Sequence, residues 1–299
     1  MKILNIGSLN IDKVYAVDHF VRAGETLTAG RMDTFPGGKG LNQSIALARA
    51  GAQVWAAGAV GEDGTFLTQL LRDSGAHTEL VETLPDTATG HAIIQLVPQG
   101  QNCIIISGGA NRALTETAID RAFSGFGPGD LLLAQNETNL VPYAMRKAKE
   151  QGMKIALNPS PIDDALFSYP LELVDYFILN EIEGQAIAGI RESEPDKVME
   201  ALLRKFPQAA IVLTLGGDGV RYGKGADRFS HGIFPVPVVD TTAAGDTFCG
   251  YFLACLAKAM EPQAALRTAS MASALAIGVK GAAVSIPTWA QVQEFGKTH

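Results

Sequence analysis

The sequence predicts an α/β protein whose mostly parallel central sheet is covered by helices on both faces, and three observations predict it. Short apolar runs alternate with helical patterns over most of the chain, as βαβ units do. Several runs are nearly continuous in apolar residues, the mark of strands buried on both faces. Hydrophobic residues make up 47% and charged residues 18% of the 299 positions, enough for a large core, and the 32 glycines suit a compact enzyme of this class.

In order, the runs at 2–9 (KILNIGSL), 53–61 (QVWAAGAVG), 130–136 (DLLLAQN), 153–159 (MKIALNP), 175–180 (DYFILN) and 209–216 (AAIVLTLG) read as buried strands. Helical patterns fall between them at 41–52, 64–76, 141–152 and 195–206. After Asp246 the rhythm changes to two helical runs, 247–260 and 262–278, and a short terminal helix. Two segments break the alternation, about 12–36 and 87–109; the second reads as a hairpin turning at PQGQ. Antiparallel insertions of this kind form a cover over a site or a mere edge extension. No repeat or Pro/Ser linker marks a boundary, so 1–299 is expected to be a single domain with the two insertions as its lid.

The formal net charge of −7 disfavours a nucleic-acid scaffold or a polybasic membrane binder, yet leaves nucleotide binding open, since a few N–H groups and cations hold a phosphate. Three cysteines, Cys103, Cys249 and Cys255, show no C-x-x-C spacing and fit a reducing compartment. The N-terminus MKILNIGSLN is too short an apolar run for a signal sequence, and Lys258 interrupts the best candidate span. A cytoplasmic location is expected.

No G-x-x-x-x-G-K-[ST] occurs, since Gln291 stands where the first glycine before the terminal GKT would be. G-x-G-x-x-G, H-E-x-x-H and G-x-S-x-G are also missing, and the five histidines are scattered. Three other stretches share one logic. FPGGKGLNQS (35–44) puts paired glycines and a lysine before a helix, LNEIEG (179–184) ends a strand with Asn180 and places Glu183 three residues on, and DTTAAGD (240–246) opens an apolar helix. Each sits at a strand end or a helix start, where ligands collect in open α/β sheets. Each also has a plain reading: a turn, a capping box, and a tight helix cap in which Asp246 serves only the helix.

Taken together with GSLNIDK (7–13), GGANRAL (108–114), LNPSP (157–161), TLGGDGV (214–220) and KGAAVSIP (280–287), these stretches resemble the ribokinase-like carbohydrate kinases nearly end to end. The resemblance implies that family's three-layer sandwich with a small β-sheet lid. It implies ATP-dependent phosphorylation of a sugar, with D-ribose at O5 as the leading acceptor. The alternatives are 2-deoxyribose, a ribonucleoside, or a sensor of sugar or nucleotide without turnover.

The family's site residues carry over position by position. Asp246 becomes the general base, and the N–H groups of Ala243, Ala244, Gly245 and Asp246 form an anion hole for the moving phosphoryl group. Phosphoryl transfer needs such positioning and charge stabilisation more than covalent chemistry. Asn10, Asp12, Gly38, Lys39, Asn42 and Glu137 are implied to hold the sugar. Asn180, Glu183, Thr214, Gly216, Gly217, Gly219, Gly245 and Ser270 are implied on the ATP side, with Glu183 placing Mg²⁺ through water. A K⁺ site is implied at Asp240, Thr242, Ala276, Val279, Gly281 and Ser285, and a homodimer through the lid. Asn136 beside Glu137 is read as adjusting sugar choice, and His91 and Cys103 as lid residues outside the signature.

Overall fold

Strands form where the apolar runs fall, in a computed structural model that describes residues 1–299. They are β1 (Ile3–Ile6), β2 (Asn10–Ala16), β3 (Arg31–Gly37), β4 (Val54–Gly61), β5 (His77–Leu84), β6 (Gly90–Leu96), β7 (Asn102–Ser107), β8 (Leu131–Gln135), β9 (Lys154–Asn158), β10 (Tyr176–Asn180), β11 (Ala210–Thr214), β12 (Val220–Lys224) and β13 (Asp227–His231). The helices are α1 (Lys39–Arg49), α2 (Thr65–Asp73), α3 (Glu116–Ala122), α4 (Val141–Glu150), α5 (Glu181–Ala188), α6 (Pro195–Lys205), α7 (Ala244–Ala257), α8 (Pro262–Ile277) and α9 (Trp289–Phe295).

The large sheet has nine strands in the order β13-β12-β11-β10-β9-β8-β1-β4-β5. Its pairings are parallel except for β11–β12 and β12–β13. Along a strand, alternate side chains feed opposite layers, which is why the runs are apolar throughout. Ile3, Leu131 and Leu133 pack with α1, α7 and α8, while Leu4, Ile6, Leu132 and Ala134 pack with α4 and α6. All six strands expected from the apolar runs are present. The sequence reading missed β5, β12 and β13, which are half polar because they lie at or near the sheet's edges with one side in water.

Strand order reverses at β1, which lies between β8 and β4 while the chain runs outward on both sides. The crevice beyond the carboxyl ends of β1 and β8 is therefore the expected ligand position in this topology. The two irregular segments meet there. They form a second sheet in the order β3-β2-β6-β7; the second segment is the hairpin expected, the first proves to be one as well, and parallel pairing of β2 with β6 joins them. Asn10, the first residue of β2, pairs with both Gly37 and Gly90, so this sheet is rooted at the crevice. Its outer strand β7 is exposed along its whole length, with Ile104, Ile105 and Ile106 at 49%, 61% and 59% exposure.

Helix α7 is buried on nearly all sides from Asp246 to Cys255. A Cβ on Gly250 would lie 2.4 Å from the Cβ of Ala46, so only glycine lets α7 close onto α1. Residues one turn earlier on both helices, Asp246 and Asn42 with Gln43, are thereby brought face to face.

Candidate active site

Two glycines at the start of α1 are required by contact. Gly38 has φ +94, and a Cβ there would sit 2.8 Å from the Ser8 carbonyl oxygen. A Cβ on Gly40 would sit 2.4 Å from the carbonyl carbon of Gly7. Helix α1 thus begins against the backbone that leaves β1, with Leu41 N–H donating to Ser8 O at 2.9 Å. Lys39, Asn42 and Gln43 are carried into the crevice by this approach.

Polar groups converge on the crevice from four elements. Asn42 Nδ2 donates to Asp246 Oδ2 at 3.0 Å, and Gln43 Nε2 donates to Asp246 Oδ1 at 2.8 Å. Glu137, just past β8, accepts from the Ser8 hydroxyl and from Lys39 N–H at 3.1 Å. Asn10 Oδ1 accepts from Asn111 Nδ2 at 2.7 Å, and Asn111 is itself pinned to both backbone groups of Leu9. Burial lowers the Lys39 ammonium's affinity for its proton, but Asp246, Glu137 and Glu183 outweigh that and hold its pKa above the ordinary value. Asn136 is not part of this set. Its amide is spent on Pro161 O, Asp163 and the Tyr169 hydroxyl, so it pins the loop after β9 instead of reaching the crevice.

Asp12 lies against Gly37, where any Cβ would come within 2.1 Å of its carboxylate. Burial, and next the charge of Glu137, raise its pKa from 3.8 to about 6. The folded protein holds this proton more tightly than the unfolded chain does, so stability falls as pH rises between these two values. Asp12→Asn is expected to stabilise the ligand-free protein at pH 8 by about 1–3 kcal/mol. Below about pH 4, where Asp12 is protonated in both states, the gain should vanish. Urea melts of both proteins at the two pH values measure this; an equal gain at both would rule out the charge as its source.

The start of α7 answers whether Asp246 merely caps the helix. The N-cap is Ala243, in the left-handed region at φ 60, and no side chain caps the helix. The Asp246 carboxylate points across to α1 instead. Of the four amides expected to face an anion, that of Ala244 donates to Thr241 O at 3.2 Å. The N–H groups of Ala243, Gly245 and Asp246 have no acceptor within the protein. A Cβ on Gly245 would meet nothing within 4 Å.

Two cavities share this helix end. One of about 540 Å³ is walled by Gly216, Gly217, Val238, Phe248 and Ile277 and reaches Ser270. The other, about 250 Å³, is bounded by Lys39, Asn180, Glu183 and Asp246. Thr214, Thr241, Ala244 and Gly245 line both, so the cavities adjoin at this helix end, and Asp246 lies on the smaller. Gly219 lies on the larger cavity, and Thr214 ends β11 beside it.

Asn180 and Glu183 do form a capping box. Asn180 Oδ1 accepts from Glu183 N–H at 2.9 Å, and Glu183 Oε2 accepts from Asn180 N–H at 3.0 Å. Glu183 Oε1 takes the Asn180 side-chain amide, so both carboxylate oxygens are occupied while the pair lines the smaller cavity. No group of three or more His, Cys, Asp or Glu side chains gathers for a metal ion.

Asp240 Oδ1 accepts from Thr242 N–H at 2.9 Å and from its hydroxyl, and Oδ2 accepts from Gly281 N–H at 2.9 Å. Burial pushes this carboxyl's pKa up, but those hydrogen bonds and Lys280 outweigh it and hold the group below its ordinary range. Asp240 N–H donates to Ile277 O, and Val279 N–H to Ala276 O, which ties the end of α8 to the same patch. Ser285 is bonded to Ala282 O rather than to Asp240.

The sequence reading missed Gln43, Asn111, Asn158 and the apolar wall at Val238 and Ile277. Gln43 stands beside Asn42 in FPGGKGLNQS. A helix pressed against a strand end on one side and α7 on the other buries two adjacent polar residues together, and two adjacent amides in an apolar helix are that signal. His91 lies on β6 near Thr89 O, and Cys103 is exposed on β7.

A family model described as pfkB family carbohydrate kinase matches residues 1–289. The ribokinase of Haemophilus influenzae is 35% identical over 297 residues, covering 97% of this chain and 96% of that one. A deoxyribokinase of Salmonella typhi is 30% identical over 303 residues, covering 99% and 98%. The structure of Arabidopsis thaliana ribokinase complexed with ribose and ATP superposes with a TM-score of 0.88 at 27% identity, covering 98% of each chain.

Proposed function

The chain belongs to the pfkB family of carbohydrate kinases and is an ATP-dependent carbohydrate kinase; from that premise we propose that it transfers the γ-phosphoryl group of ATP in line to O5 of D-ribose. One observation carries the reading. Asp246 lines the smaller cavity at a helix end with free amides, and its carboxylate also meets Asn42 at the polar crevice beyond the carboxyl ends of β1 and β8.

Asn10, Asp12, Asn42 and Glu137 present amides and carboxylates, the partners that vicinal hydroxyls pair with in two directions. Gly38 lets the sugar site form by keeping bulk off Ser8 and Asn10. Asp246 takes the O5 proton as the new O–P bond forms and the bond to ADP breaks. The amides of Ala243, Gly245 and Asp246, with Lys39, receive the charge on the moving phosphoryl oxygens. The glycine turn at 216–219 leaves room along the nucleotide, and Ser270 lines the same cavity. Base catalysis of this kind contributes roughly 10²–10⁴-fold.

Mg²⁺ bound with ATP would be placed by Glu183, which lines the smaller cavity, through water, in keeping with an ion that retains several waters. It would spread phosphate charge. A K⁺ ion would be held by ionised Asp240 with oxygens of Thr242, Ser285, Ala276, Val279 and Gly281, an all-oxygen set; it would fix the loop before α7. The second sheet serves as a lid on a single domain, and a second copy covers the isoleucines of β7, since such an apolar edge strand invites a partner. No helix is long and apolar enough to cross a membrane. The exposed, unpaired thiol of Cys103 supports a reducing, cytoplasmic setting.

ADP release should be fastest with D-ribose among ribose, 2-deoxyribose, fructose and ribonucleosides, and should rise when K⁺ replaces a bulky cation. Turnover with 2-deoxyribose over ribose would favour the activity for which the Salmonella relative is named. No turnover with any acceptor, from protein that binds ATP, would overturn the kinase mechanism. Light scattering on the same sample at twice the 31.5 kDa chain mass would support the dimer, and a single-chain mass would remove it.

A further inference from the structure

Gln43 is fully buried and donates to Asp246 Oδ1 at 2.8 Å, yet an amide is nearly symmetric in shape. Reversed, it would place a carbonyl oxygen against the carboxylate. Its direction is fixed on each side by a backbone carbonyl, which can only accept. On one side Asn5 Nδ2 donates to the Gly40 carbonyl at 2.9 Å and to Ser44 Oγ at 2.7 Å. Asn5 Oδ1 is therefore left to accept from Gln135 Nε2 at 2.9 Å, and the same Gln135 nitrogen donates to Gln43 Oε1 at 2.7 Å. On the other side Asn158 Nδ2 donates to the Ile178 carbonyl at 2.9 Å, which turns Asn158 Oδ1 toward Gln43 Nε2 at 2.9 Å. Two backbone carbonyls thus set the polarity of a buried amide chain whose open N–H ends on Asp246.

We propose that Gln43 is the positioning residue for the base, and that the chain through Asn5, Gln135 and Asn158 exists to hold its N–H toward Asp246. The role rests on reading Asp246 as that base. A donor fixed in place favours the ionised carboxylate and restricts it to one rotamer, while Oδ2 keeps a lone pair beyond the Asn42 bond. The other charged or titratable groups around Asp246 are Lys39, with Glu137 and Glu183 about it, and Cys249, whose buried thiol is pushed up and stays neutral. None of these supplies a second fixed donor to Oδ1.

The test compares Gln43→Met, Gln43→Glu and Asp246→Asn with wild type, counting active sites by ADP titration so that kcat refers to folded enzyme. Gln43→Met should lower kcat about 10- to 100-fold, with KM for ATP within about threefold and the acid limb of kcat moved up by about one pH unit. Gln43→Glu keeps the shape and sets a carboxylate beside Asp246, so its acid limb should move further up. If Gln43→Met does not fold, Gln135→Met stands in. It removes the donor that orients Gln43 and should shift the limb in the same direction by less. An unmoved acid limb with kcat per site within about threefold of wild type would overturn the proposal, whatever the change in Tm. Near-normal turnover by Asp246→Asn would remove the base assignment itself. Loss in Asp246→Asn without a shift in the Gln43 variants would remove only the role of Gln43.

Discussion

Replacing Asp246 with asparagine is expected to lower kcat by about 10²–10⁴-fold while ADP still binds. Asparagine keeps the shape of the side chain but cannot take a proton from a hydroxyl. The carboxylate accepts one hydrogen bond from Asn42 and one from Gln43, on different oxygens. The substituted amide would satisfy only one of them and set its own NH₂ against the other donor, so a stability loss of about 1–3 kcal/mol should accompany the loss of turnover. The two effects separate the mechanisms. A residue that merely anchors α7 to α1 would lose stability and keep kcat in the surviving folded enzyme. A base loses kcat per site, and pre-steady-state mixing with ATP and ribose would show no burst of phosphorylated sugar.

The second large effect falls on Gly245, and it should have the opposite balance. Nothing lies within 4 Å of a Cβ built there, and the residue lines both cavities beside the free amides of Ala243 and Asp246. Gly245→Ala is expected to raise stability by up to about 1 kcal/mol, since glycine weakens a helix. Gly245→Val would place two methyls where phosphate oxygens must come and lower kcat by about 10²–10³-fold, the loss typical of removing one such donor. Its Tm should stay near wild type, because the added atoms face open space. Thermal melts and turnover measured on the same preparations check both signs. A valine variant with full activity would show that the phosphoryl group does not approach these amides.

The parallel sheet, the order of its six central strands along the chain and the helical stretches were legible because burial on two faces forces continuous apolar runs with glycines and helix patterns between them. The three motifs were legible because phosphate approach and close packing demand small residues, whose clustering is visible without coordinates. The edge strands β5, β12 and β13 were hidden, since half-polar strands carry little signal.

Tertiary structure alone decided what those residues do to one another. It separated Ala244, whose amide donates to Thr241 O, from its three neighbours. It took Asn136 out of the crevice and put Gln43 in it. It joined two distant hairpins through the pairing of β2 with β6. Each of these depends on which groups the packed backbone brings within hydrogen-bond distance of one another. The sequence by itself determined which segments are buried and where bulk is absent; the direction of each buried amide, and so the path from α1 to the acid on α7, exists only once the helices have closed on Gly250.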